Sequence, residues 1–180
     1  MNDERAGLNP SHLYDYLSKA REKLLGWVRP ITFEQYATKE FPFGVKTIRD
    51  TLVEIPQAEW TYVQRLRGED VPPSEERPFA RFYKTDFAPL EQAWREQAED
   101  TRATLREISD WARPVEYVAR STSDEPAHKI WTTTGGIGAQ LLFHEIHHRA
   151  QVMAMLRQLG IAAQDLDYSY LMNKWSEVPA

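Results

Sequence analysis

The segment from Gly135 to Gly160 narrows the choice of fold more than any other stretch of the chain. Read as a helix of about 3.6 residues per turn, it sets Leu142, Ile146, Ala150 and Met153 along one side. Leu141, Val152, Met155 and Leu159 fall near the other. A helix that is apolar on both flanks is expected to be enclosed by other helices rather than laid on a surface. Yet this one also carries His144, Glu145, His147 and His148. His144 and His148 are four apart and lie one above the other, so their ring nitrogens can converge on one metal ion. Unpaired imidazoles inside a bundle are costly, whereas a metal gives them a partner. Residues 144–148 spell H-E-x-x-H, a pattern in which the two histidines hold zinc and Glu145 deprotonates a bound water. His147 lies roughly 60 to 100 degrees round the wheel. It is expected to face substrate or to support a ligand rather than to bind metal itself.

The rest of the chain supplies partners for that helix. A first helix is expected over 11–28, with Ser11 as N-cap, an apolar stripe of Leu13, Leu17, Leu24 and Val28, and Pro30 as its stop. An aromatic connection, 31–44, leads to a second helix from Thr47 to Leu66. Pro56 within it predicts a kink or break beginning near Glu54 and Ile55. Glu59 falls on the apolar stripe of the same helix and is expected to be a partnered, partly buried acid. The acid- and proline-rich stretch from Glu69 to Arg81 reads as a loop. A third helix is expected from Phe87 to Ala112, with Leu90, Trp94, Ala98, Leu105 and Ile108 inward. Val115 to Arg120 alternates and reads as a short strand or an extended loop. A short last helix is expected within Asp165–Trp175. The pattern as a whole predicts an all-α fold, a four-helix bundle occupying 1–180 as one domain.

Composition removes several function classes. At 180 residues with 42% hydrophobic content the chain has the balance of a globular domain. A net charge of −5 with no basic run argues against a nucleic-acid partner. There is no cysteine, hence no disulfide, thiolate ligand or thiol nucleophile. No segment reaches the run of about 18 apolar residues a membrane helix needs. Met1–Arg5 lacks the pattern of a secretory signal. A cytoplasmic protein acting on a small molecule is expected.

Three stretches together resemble the DinB/YfiT-like family of metal-binding bundles. His144-Glu145-Ile146-His147-His148-Arg149-Ala150-Gln151 is similar to the family's H-x-x-x-H-R-G-Q, with Ala150 where glycine is frequent. The second helix, Thr47 to Trp60, and the closing Leu166-Asp167-Tyr168 with Tyr170-Leu171 follow in the family's order. The resemblance implies four helices running up-down-down-up, a homodimer, and a divalent metal, zinc or nickel, held by three histidines. Two of these match His144 and His148; the position of the third is occupied by Glu54. Two histidines and a carboxylate are an established zinc set that leaves a position open. His12 and His128 are spare candidates.

Characterised relatives imply a metal-dependent transferase that uses a low-molecular-weight thiol such as bacillithiol. A thiol whose pKa is lowered at the metal attacks an electrophile, and a chain without cysteine must borrow that nucleophile. One alternative is a metal-dependent hydrolase with Glu145 as base. As a protease it would need a strand beside the helix, and a third ligand such as Asp165, Asp167 or Glu177. Another is a non-catalytic, metal-stabilised bundle serving a stress response.

Overall fold

The structure, a computed structural model, describes residues 10–119 and 126–177. The Met1–Arg5 start and Arg120 lie outside the described residues.

Helix formation follows the apolar periodicity, with different ends from those expected. α1 runs from Pro10 to Val28 and buries Tyr14, Leu17, Leu24, Leu25 and Val28. Ser11 therefore lies inside the helix, and its hydroxyl donates to the Leu105 carbonyl (3.3 Å) instead of capping. A π-helical turn, Glu34–Thr38, packs the aromatic connection onto α2 through Tyr36.

α2 runs from Ile48 to Arg67. The Thr47 side chain accepts from the Asp50 amide (3.0 Å), and Gly68 closes the helix at φ +80°. The helix passes Pro56 without the expected break. Pro56 itself is buried, as are Leu52, Val53 and Ile55 before it, so packing of this turn against the core outweighs the missing amide of the proline ring.

α3, Phe87–Glu107, ends one turn and more before Ala112, because Ile108 turns to extended backbone (ψ 109°). The residues beyond it serve α4 instead. The carbonyls of Asp110, Trp111 and Arg113 accept from the Thr134 hydroxyl, the Gly135 amide and the Thr134 amide. Gly135 allows that approach, since a Cβ there would meet the Trp111 carbonyl oxygen at 2.8 Å.

Between α3 and α4 stands a feature the all-α expectation lacked. Pro114–Ala119 (β1) and His128–Thr133 (β2) form an antiparallel pair, Tyr117 opposite Ile130 and Val115 opposite Thr132. The strand alternative for Val115 onward is therefore the one realised. β2 runs directly into α4, Thr134–Gln158, whose first turn is capped by the Thr133 hydroxyl accepting from Gly136 (3.0 Å). A short α5, Tyr168–Met172, falls inside the expected tail segment.

The chain is mostly helical, and each long helix packs on two others: α4 on α1 and α2, and α3 on α2 and α1. The shared core holds Tyr14, Leu17, Leu52, Leu90, Trp94, Met155 and Leu156. Among the described residues no helix is long and apolar enough to cross a membrane.

α4 departs from the two-flanked picture in an informative way. Leu141, Val152, Met155 and Leu156 are buried, but Phe143 and Ile146 reach solvent, and Glu145 and Arg149 take interior places. Charged residues sit where aliphatic ones were anticipated.

Candidate metal centre and cleft

Those interior charges form a network that joins three helices. Arg21 of α1 donates to Glu59 of α2 (2.8 Å) and to Glu145 of α4 (2.5 Å), with all three side chains almost completely buried. Glu59 also accepts from Tyr14, from Trp94 Nε1 (3.0 Å) and from Thr101 (2.7 Å). It is thus the partnered acid its place on the stripe predicts, more deeply buried than expected. Burial pushes the Glu145 carboxyl up, and the Arg21 charge beside it pulls back. Glu145 is therefore committed to an ion pair. It does not line the cleft that His144 faces.

That cleft, about 840 Å³, is walled by α2, the connection after it, the hairpin and α4. α2 supplies Glu54, Gln57, Tyr62 and Arg65 at spacings of three, five and three, which keeps them toward one side of the helix. The 3₁₀ turn at Ala80–Lys84 adds Tyr83 and Lys84, and Arg77 precedes it. His128 enters from β2 and His144 from α4.

His144 and His148 lie one turn apart, their rings tilted by 58° with centroids 4.5 Å from each other. Tyr62 meets the His144 ring edge-on at 6.0 Å. His144 Nδ1 is buried with no hydrogen-bond partner. Burial, then the neighbouring His148 and His147, holds the His144 pKa down at about 4, so the ring is neutral near pH 7. His148 is also shifted down, chiefly by burial, while Gln151 and Glu54 oppose the shift. Its Nδ1 donates to Gln151 Oε1 (2.8 Å), leaving Nε2 with the lone pair. The Gln151 amide in turn donates to Nε2 of His147, an exposed residue (3.0 Å). Gln151 thus fixes both rings.

The pair fits a metal well: a neutral, half-buried imidazole with an orphaned nitrogen beside a second one whose tautomer is set. The third ligand is less complete. Among the described residues no three histidine or carboxylate groups stand close enough together to hold an ion. Glu54 lines the same cleft, but its carboxylate accepts a short hydrogen bond from the Tyr83 hydroxyl. His12 is elsewhere, with its Nε2 3.0 Å from the Tyr168 hydroxyl oxygen. Asp165 and Asp167 line a separate depression beside Arg149 and Arg157.

Sequence reasoning missed Tyr83, Arg65 and Arg77, which come from different elements and share no spacing. Gln151 had a signal: it sits three residues after His148 and four after His147, within reach of both on one helix.

The model of the DinB family matches residues 1–177 of the chain. No curated protein matches it.

Proposed function

Because the chain belongs to the DinB family, we propose that it binds a divalent metal and works as a metal-dependent thiol S-transferase on small electrophiles. The finer architecture in this reading is a four-helix bundle, up-down-down-up, supported by the ring of contacts α1–α4–α2–α3. The protein is cytoplasmic and assembles as a homodimer.

The observation that carries the metal reading is the orphaned His144 Nδ1, buried beside His148 at the wall of the cleft. His144, His148 and Glu54 would hold the ion, zinc or nickel, with Glu54 leaving Tyr83 to do so. The bound metal would supply a Lewis acid that lowers the pKa of a thiol cosubstrate. The chain's own residues do the rest. Gln151 keeps His148 in the tautomer that offers Nε2, and Tyr83 keeps Glu54 at the cleft wall until an ion binds. With no cysteine, the chain itself cannot be the sulfur nucleophile.

The hydrolase alternative loses its base in this geometry, since Glu145 is ion-paired to Arg21 inside the bundle. The test is turnover of an electrophile such as an activated aryl halide with and without a small thiol. Protein alone should be inert, added thiol should create activity, and a chelator should abolish it. Hydrolysis of an ester without thiol, lost in Glu145→Gln, would instead restore the hydrolase.

A further inference from the structure

Gln57 lies one turn after Glu54 on α2 and lines the same cleft, yet it is only 4% exposed. Its Oε1 is fully buried and accepts no hydrogen bond. Donors on the same wall are turned elsewhere. Tyr83 gives its hydroxyl to Glu54, the Thr61 hydroxyl donates to the main-chain carbonyl of Gln57 (2.9 Å), and the Arg65 guanidinium lies 4.1 Å over the Tyr117 ring. A buried acceptor without a donor destabilises the fold, and such atoms are rare unless something outside the chain supplies the missing group. An apolar side chain of the same length would fill this place without that cost, so packing does not explain a glutamine here.

We propose that Gln57 is a specificity residue of the cleft: it accepts a hydrogen bond from an N–H of the bound molecule and so distinguishes an amide from an ester of the same shape. Its carboxamide carries a donor beside that acceptor, and an amide is the group that matches both. Gln57 stands about 4.5 Å along the axis from Glu54, which puts the recognised N–H close to the reacting end of the ligand. The assignment rests on the thiol-transfer reading of the same cleft and adds to it the residue that reads the cosubstrate beyond its sulfur.

Three measurements on the full-length protein test this. In urea, metal-free Gln57→Met should unfold at an unchanged or higher midpoint, because methionine keeps the length and drops the unpartnered oxygen. On zinc-loaded protein, calorimetric titration compares N-acetylcysteamine with the acetate ester of mercaptoethanol, which has the same length but an oxygen in place of the N–H. Wild type should bind the amide about fivefold or more tightly, and Gln57→Met should bind both as wild type binds the ester. N-ethylacetamide, which has no sulfur, should saturably shift the nuclear magnetic resonances of the Gln57 side-chain amide in metal-free protein, while ethyl acetate leaves them in place. If neither thiol binds but N-ethylacetamide does, the transferase reading falls and the role of Gln57 stands. Equal affinity of wild type for the two thiols has the opposite meaning. That equality, a lower urea midpoint in Gln57→Met, or no response to N-ethylacetamide would overturn the proposal.

Discussion

At His144 one side chain is held between two costs. Its ring is half-buried with an orphaned nitrogen, so neither charging it nor leaving it empty-handed is favourable. Its pKa in the folded protein lies near 4, below the ordinary 6.5, so the unfolded chain takes up protons first as pH falls. The contribution is therefore fully present above about pH 6.5 and is lost progressively toward pH 4. After allowance for the part of the ring that reaches solvent, this is worth about 2 kcal/mol. Urea melts of metal-free protein between pH 7 and 4.5 should show that loss in wild type and a shallower one in His144→Leu. Glu54 offers the complementary test. Glu54→Ala should lower metal retained after dialysis by roughly 10- to 100-fold in affinity, and Glu54→His should restore it with a preference for nitrogen-loving ions. His147→Ala should keep its metal; if it loses metal while Glu54→Ala does not, the ligand set includes His147 instead.

Between elements, the buried Arg21 is the joint at which α1, α2 and α4 meet. Removing it leaves Glu59 in the core without a cation and Glu145 with only Arg149, 3.9 Å away, which costs about 3–5 kcal/mol. Arg21→Leu should show that loss in urea denaturation, whereas Arg29→Leu, whose guanidinium reaches solvent beside Glu22 and Glu91, should change stability by less than about 1 kcal/mol. This level also marks where the sequence could be read and where it could not. The α4 stretch and the span of α2 were legible because periodicity is local. Glu59 was legible because an acid on an apolar stripe needs a partner. Glu145 was not: in H-E-x-x-H it reads as a base, and its ion pair with Arg21, 124 residues away in sequence, leaves no local sign. The length of α3 was misjudged because the apolar stripe continues past Glu107 to Ile108, where carbonyls are needed at the start of α4. Arg65 and Arg77 escaped notice because a cleft assembled from a helix and a loop has no period.

For the whole molecule, the outer face between α1 and α4 stands out. Leu13, Tyr16, Leu142, Phe143, Ile146 and Tyr168 surround an apolar depression of about 420 Å³, with Phe143 67% exposed. A face of this kind suits the proposed homodimer, since apolar side chains gain most by meeting each other. Sedimentation at micromolar concentration should give a dimer that Phe143→Glu converts to monomer without altering helicity; a wild-type monomer would refute it.

The Arg21 network has a mechanical consequence as well. Glu145 adjoins His144 on α4, and Glu59 lies five residues, about 7.5 Å, beyond Glu54 on α2. One guanidinium therefore bolts both helices at a set height. A slip of α4 by a single turn, about 5.4 Å, would pull Glu145 off the bolt before it could carry His144 out of line with Glu54. The axial tolerance of the cleft is thus fixed from inside the core, by residues that never enter it.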